Sequence, residues 1–271
     1  MAADVLCKIP SPIDYETTDK LIGAHKTPLD VVLLQEIQRY NALLIGIRVS
    51  LNDLQKGIKG LVVMSSELED IFVCIDEGRV PSPWLKTYPS LKLLGSWTRD
   101  LVLRVDHFSQ WAETIKPPMF FWLSAYTFPT GFLTACLQAA ARTMEVPIDM
   151  LGWEFTVQTV EEYAIVEKPS SGVYIKGLYL EGGGWDKKTS TLIEPQPMQL
   201  VCAMPLIHFK PTEQLKKRTR GLYQCPAYYY PIRTGMQGWP AFIVAVDLKC
   251  SSEGSDYWVK RGTALLLSLS N

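Results

Sequence analysis

Nucleophilic catalysis needs a thiol or hydroxyl, a base to activate it and a third group to orient the base. Cys225 and His208 supply the first two residue types. Each lies in an apolar, strand-like run and no orienting partner follows from the sequence, so buried packing is the favoured reading. Two acidic groups, Glu67/Glu69/Asp70 and Glu161/Glu162, have the residue types for acid–base work. The first opens a helix, where carboxylates complement the helix dipole. The second follows a strand. Proton transfer would require surroundings that drive two pKa values apart, and a solvated face accounts for both groups. A phosphate cradle of the form Gly, four residues, Gly-Lys-Ser/Thr does not occur. Gly182-Gly183-Gly184 lacks the G-x-G-x-x-G spacing and no helix is expected after it, so a hairpin or bulge explains it. Neither G-x-S-x-G nor H-E-x-x-H is present. The 6 cysteines are scattered without a C-x-x-C pair and stand beside only 3 histidines, so no metal site is expected. Their mostly apolar contexts suit reduced, buried thiols. No catalytic, cofactor-binding or metal-ligating residue is therefore expected in this protein.

Two features suit contact with another protein instead. The run from Lys210 to Arg220 holds Lys210, Lys216, Lys217, Arg218 and Arg220 against the single acid Glu213. It fits an acidic protein surface, with a solvated loop as the plainer alternative. No aromatics interleave it, as stacking on single-stranded nucleic acid requires. The whole sequence balances 27 basic against 28 acidic residues, so a nucleic-acid partner is not expected. Trp84 and Tyr88 lie among Pro81, Pro83 and Pro89; Phe121 and Trp122 follow Pro117 and Pro118. Rigid aromatic side chains in rigid loops suit interface anchors, and core packing is the alternative at each position.

The elements that position these residues change character along the sequence. At 271 residues, with 47% hydrophobic and 20% charged residues, it has the composition of one large or two ordinary globular domains. Thr27-Pro28 is a helix start, and Leu29, Val32, Leu33, Ile37, Tyr40 and Leu44 recur at helical spacing to about residue 46. A second periodic run carries Leu51, Leu54, Ile58 and Leu61. Ser66 and Glu69 have capping-box form, and Gly78 closes the helix they open. From Leu91 a long helix places Leu94, Trp97, Leu101, Phe108 and Trp111 on one stripe, with Arg99, Asp100 and Asp106 off it. Pro117–Ala141 is uncharged and long enough to imitate a membrane span. Pro129, Gly131 and several hydroxyl side chains break it into a turn and a core helix, and no membrane contact is expected. From Trp153 the runs are short, β-branched or aromatic: Trp153–Val160, Gly172–Leu180, Leu200–Met204, Tyr223–Tyr230 and Ala241–Leu248. Trp258–Leu269 suits either a strand or a closing helix. The expected class is α+β: a helical region over 1–150, then an antiparallel small β-barrel or curled sheet over 151–271. The N-terminus has no basic segment leading into an apolar stretch, so no secretory signal is expected.

Read as words in order, the residues resemble the extreme C-terminus of dynein heavy chains. The resemblance runs from Ile13-Asp14-Tyr15-Glu16 through Ser50-Leu-Asn-Asp-Leu-Gln-Lys-Gly-Ile-Lys-Gly60, Val63-Met-Ser-Ser-Glu-Leu-Glu69 and Val80-Pro-Ser-Pro-Trp84. It continues through Val146-Pro-Ile-Asp149, Gly177-Leu-Tyr-Leu-Glu-Gly182, Cys225-Pro226 and Arg261-Gly-Thr-Ala-Leu-Leu266. It is closer in flavour to axonemal than to cytoplasmic forms. It implies a parent that is an ATP-driven, minus-end-directed microtubule motor built on a ring of six AAA+ modules. The 271 residues then correspond to the end of the sixth module's helical small domain, followed by the C-terminal domain. ATP and Mg belong to the parent's hydrolytic sites, and these residues are expected to hold no cofactor and to form no enzyme by themselves. The implied partners are the AAA+ ring modules of the same heavy chain, with microtubules and other dynein subunits reached only through the parent. The implied location is the cytoplasm and cytoskeleton, in the axoneme of a cilium or flagellum. The implied role is a regulatory and structural brace. A protein-binding module working through 210–220 is the alternative, and a small enzyme using Cys225 or the acidic pairs is the third. The sequence departs from the pattern at Gly235–Pro240, where many relatives carry a longer Ser/Thr-rich hairpin, so contacts made through that hairpin are not expected.

Because no loop is built to cradle phosphate, calorimetric titration of the protein with Mg-ATP is expected to give no saturable heat. A site of micromolar affinity would overturn this reading.

Overall fold

The computed structural model describes residues 2–213, 221–229, 233, 241–251 and 253–269. They form two compact units, 2–117 with Leu269, and 118–268.

The first unit is helical: α1 (Ala2–Lys8), α2 (Tyr15–Ile22), α3 (Pro28–Ile58), α4 (Ser66–Asp76), α5 (Ser82–Leu85) and α6 (Leu94–Thr114). Thr27 starts α3 as expected. Its hydroxyl accepts from the Asp30 amide at 3.2 Å, while the Asp30 carboxylate accepts from the Thr27 amide at 2.8 Å, a reciprocal cap that satisfies two orphan donors. The two periodic runs expected over 29–61 are one helix of 31 residues. Nothing between them stops a helix, and Gly46 alone is tolerated in an interior. Asn41 on α3 holds the turn before α2 by both backbone groups of Ile13, at 2.8 and 2.7 Å, and Arg48 Nη2 donates to Ile9 O at 2.7 Å. Ser65, not Ser66, caps α4: its hydroxyl accepts from the Leu68 amide at 3.3 Å. Gly78 follows that helix at φ 70°, a left-handed backbone suited to glycine. The α6 stripe is as expected, with Trp97, Leu101, Phe108 and Trp111 all buried.

The second unit opens with β1 (Phe120–Trp122) and α7 (Pro129–Met144). It continues through β2 (Leu151–Val157), β3 (Val173–Lys176), β4 (Tyr179–Glu181), β5 (Gly184–Asp186), β6 (Thr191–Ile193) and β7 (Val201–Ala203). After β8 (Ile207–Glu213), β9 (Leu222–Tyr228) and β10 (Phe242–Lys249) it ends with α8 (Ser255–Arg261) and β11 (Ala264–Leu266). Strands dominate from residue 151, where the periodicity changes. The compact units nevertheless divide at Pro117/Pro118 rather than at 150/151, because α7 packs on β2 and β10 and so belongs with the strands. The uncharged stretch 117–141 is a turn and a helix burying Phe132, Leu133 and Cys136. Among the described residues no helix is long and apolar enough to cross a membrane.

The expected antiparallel barrel is corrected by the sheet topology. One sheet runs β1-β3-β8-β2 and a second runs β10-β9-β11-β4-β7, with β5-β6 a separate hairpin. Both larger sheets are mixed: β1 pairs parallel with β3, and β11 parallel with β9. Neither closes, because β2 and β10 lie alongside each other without pairing. The expected strand 172–180 is two strands, β3 in one sheet and β4 in the other. The break falls at Gly177, whose φ of 78° turns the backbone from sheet to sheet. A Cβ there would lie 2.5 Å from Trp122 Cδ1, so the indole fills the space a side chain would need. The ambiguous segment near Trp258 is both things in turn, α8 and then β11.

Gly177→Ala combines a positive φ with an overpacked indole. It is expected to destabilise the protein by at least about 1–3 kcal/mol, measured as a lowered urea midpoint.

Candidate interaction sites

The four aromatic candidates fall in different units and pack inward. Trp84 and Tyr88 are 2% and 1% exposed. Both stack on Trp97, with ring centroids 5.9 and 5.3 Å away. The Trp84 indole donates to Ser50 Oγ, and that of Trp97 to Tyr88 O, each at 3.3 Å. Phe121 is 4% exposed and packs on Phe132 at 5.0 Å. Trp122 is half-buried against Gly177. The structure thus places Trp84, Tyr88 and Phe121 in cores, and their rings offer almost no surface to a partner.

The aromatic stack in the first unit is organised by charge. Arg104 is 1% exposed; its Nε donates to Asp100 Oδ2 at 2.7 Å, and its guanidinium lies 4.2 Å from the Tyr88 ring centroid. Asp100 also accepts from the Tyr88 hydroxyl and from Lys92 Nζ, the latter at 3.3 Å. Burial pushes the Asp100 carboxyl up. The Arg104 charge, the Tyr88 hydroxyl and Lys92 together outweigh it and hold the group below its ordinary value. The sequence reading names neither Asp100 nor Arg104 as a partner. A signal for them exists: Arg104 occupies a position of the 97-101-104-108-111 stripe where an apolar residue belongs, with an acid one helical turn earlier.

The residues with catalytic types are placed otherwise. Cys225 is fully buried on β9, and burial pushes its thiol well up, against the thiolate that a nucleophile requires. His208 stands on β8 in the other sheet, with Nε2 2.7 Å from Ser171 O. Burial likewise pushes the Cys136 thiol up to about 12. Glu161 and Glu162 are held in ion pairs to Lys187 at 2.6 Å and Lys176 at 2.7 Å, and Glu67, Glu69 and Asp70 lie exposed in the first turns of α4. Gly182 and Gly183 link β4 to β5, which Gly184 opens, and no helix follows them directly. The carbonyl of Gly182 accepts from Thr263 Oγ1 at 3.0 Å and from Arg261 Nε at 3.2 Å. Among the described residues no group of three or more His, Cys, Asp or Glu is placed to hold a metal ion.

Of the basic run, Lys210 is exposed in the middle of β8 with its ammonium 3.9 Å from Glu154. Lys216, Lys217, Arg218 and Arg220 lie outside the described residues, as do residues 235–240. Two surfaces are not foreseen by the sequence reading. At the end of α3, Leu61 and Val63 are 74% and 90% exposed. Separately, Leu54, Ile58, Phe72 and Ile75 line a hollow of about 370 Å³. In the second unit a cleft of about 890 Å³ runs along β2, lined by polar and apolar side chains alike.

Comparison with known proteins identifies the class to which this domain belongs. A family model for the C-terminal domain of dynein heavy chains matches residues 1–267, and the protein belongs to that family. It is 57% identical over 269 residues to dynein axonemal heavy chain 2 of Mus musculus, and 56% identical to that of Homo sapiens. It is 50% identical to the dynein-1-beta heavy chain of the flagellar inner arm I1 complex of Chlamydomonas reinhardtii. Each comparison covers 99% of the 271 residues and 6% of the relative, so the sequence spans a small part of the length of the heavy chains it matches.

Asp100 is a buried contributor to the first unit's acid sensitivity. A carboxyl whose folded value lies below its unfolded one stabilises the fold fully above the unfolded value, and that stability is lost as pH falls through the folded value. Asp100→Asn removes the carboxylate charge that accepts from the buried Arg104 guanidinium and from the Tyr88 hydroxyl. It is expected to cost about 3–5 kcal/mol at neutral pH and to flatten the acid limb of the stability curve, followed by urea unfolding across pH.

Proposed function

We propose that this protein is a non-catalytic structural and regulatory module of an axonemal dynein heavy chain. It braces the AAA+ ring of an ATP-driven, minus-end-directed microtubule motor in a cilium or flagellum. ATP and Mg act in the parent, at sites outside these 271 residues. The partners are ring modules of the same heavy chain; microtubules and the other dynein subunits are reached through it. The family membership supports the setting, and one observation carries the bracing role: the apolar end of the α3–α4 pair. Leu61, Val62 and Val63, which follow α3 in the sequence, stand at 74%, 45% and 90% exposure, and Ile58 and Phe72, at 58% and 44%, line a hollow. Exposed apolar residues in one part of a domain support a contact surface. A neighbouring module that covers them in one ring conformation and uncovers them in another has its equilibrium shifted by the difference.

Leu61→Glu with Val63→Glu in the full motor tests this. At exposed positions the pair is expected to change the stability of the isolated 271 residues by no more than about 0.5 kcal/mol per site. Bulk ATP hydrolysis is expected to persist, while stall force or run length changes. Loss of hydrolysis in a folded motor assigns the surface to the chemistry. Unchanged force, velocity and run length remove the bracing role from it.

A further inference from the structure

The acidic pair Glu161 and Glu162 stands immediately before a tyrosine. Tyr163 is 87% exposed, and no other tyrosine among the described residues is exposed. It lies between β2 and β3, on a 3-10 turn at Glu162–Ala164. The turn is closed by the Ala164 amide, which donates to Glu161 O at 3.0 Å, and the Ile165 amide, which donates to Glu162 O at 3.3 Å. No residue from 158 to 172 is buried. The segment can therefore open without exposing core, at the low-cost end of local unfolding.

A protein tyrosine kinase makes three demands of its substrate. The hydroxyl must be reachable, the backbone must be free to extend across the enzyme's cleft, and the neighbouring charges must match the enzyme's own. Exposure and the irregular backbone meet the first two. Glu161 and Glu162 meet the third, for an enzyme that presents basic groups to the residues before its target. The same surroundings give a phosphate something to act on. Glu161 pairs with Lys187 at 2.6 Å and Glu162 with Lys176 at 2.7 Å, and these four residues line one hollow of about 250 Å³. Both pairs are open to solvent, where such bridges are weak. They can yield to a more highly charged anion.

We propose that Tyr163 is a phosphorylation site for an acid-directed protein tyrosine kinase, and that its phosphate rearranges the two ion pairs beside it. In the transfer, Tyr163 Oη attacks the γ-phosphorus of ATP. The new O–P bond forms as the bond from that phosphorus to the bridging oxygen breaks. ADP leaves with the electron pair, and the phenolic proton passes to the kinase. The product carries a charge of about −1.5 to −2 at neutral pH. Two carboxylates repel it and two lysines attract it, so the segment 158–172 loses the arrangement that Lys176 and Lys187 hold. This site does not rest on the bracing role of the α3–α4 surface.

The test is phosphorylation of the 271-residue protein by a purified tyrosine kinase of acidic preference, with ATP and Mg, followed by mass spectrometry of its peptides. One phosphate is expected, on Tyr163, and Tyr163→Phe removes it. Glu161→Gln with Glu162→Gln should slow incorporation by at least about tenfold. Circular dichroism checks that these variants keep their fold. Amide exchange within 158–172 should quicken in the phosphorylated protein and stay unchanged in Tyr163→Phe treated alike. The full heavy chain, isolated with phosphatases inhibited, is expected to carry phosphate at the same residue. No label on Tyr163 overturns the site, as does a rate indifferent to the two Gln substitutions or a full heavy chain without phosphate there. Label on Tyr163 that leaves exchange unchanged overturns the rearrangement of the ion pairs.

Discussion

Arg104 brings a permanent positive charge into the interior of the first unit, and its surroundings are arranged to answer that charge. A guanidinium cannot lose its proton at any ordinary pH, so burial demands an anion and a polarisable lining. Asp100 supplies the anion one helical turn away, and the Tyr88 ring supplies a face for the cation. These requirements propagate. Tyr88 must lie over α6 to donate to Asp100, which places its ring on Trp97, and Trp97 in turn receives Trp84. The segment 79–93 has almost no regular structure, yet it is fixed at Trp84, Tyr88 and Lys92. Its three prolines lower the entropy lost in fixing it; the charge cluster and the stack decide where it sits. Replacing the ion pair by apolar residues could leave stability unchanged or raise it. What the charges add here is a particular placement of the loop.

The second unit depends on a different constraint, a change of sheet within one short stretch of backbone. β3 and β4 are separated by only Gly177 and Leu178, yet they belong to different sheets. A direct crossover of that kind needs a backbone that turns through positive φ, and it needs an object to pack in the corner. Gly177 provides the first and the Trp122 indole the second. With the corner fixed there, β8 joins β3 and β2 on one side, and β11 and β7 flank β4 on the other. Among the described residues no strand pairs β2 with β10, and the two sheets stay separate.

Local chemistry makes the helical unit legible. The Thr27-Pro28 start, the Gly78 stop and the α6 stripe each depend on a few neighbouring residues, and the structure has all three. The α4 cap shifts by a residue, to Ser65, because adjacent serines offer the same hydroxyl and only the helix phase selects one. The strands are legible as runs and not as sheets. A sequence that reads Gly-Val-Tyr-Ile-Lys-Gly-Leu-Tyr-Leu alternates like one strand, and the glycine in its middle looks like a tolerated irregularity. Whether such a glycine is a bulge or a corner depends on Trp122, which lies far back in the sequence. The aromatic candidates mislead for a related reason. Proline-rich surroundings say that a loop is stiff, but not which way its rings point. Arg104 holds the missing direction: a charge on an apolar stripe requires partners, and the nearby loop holds a tyrosine and a lysine.

Exposed apolar side chains such as Leu61 and Val63 bear on how such a domain can act within a much longer polypeptide. Apolar contact is broad in its tolerance and proportional to area, at about 25 cal/mol per Å² removed from water. It suits a surface that must slide or separate as neighbours move, because its energy changes gradually with the area covered. Such a surface cannot drive movement by itself. It alters the balance between conformations only by the difference in what it binds in each, and about 1.4 kcal/mol of such difference changes a population ratio tenfold. At the area coefficient above, that corresponds to roughly 60 Å² of apolar surface covered in one state and bare in the other. Under the bracing role proposed above, a few side chains after α3 are therefore enough to bias a mechanical equilibrium.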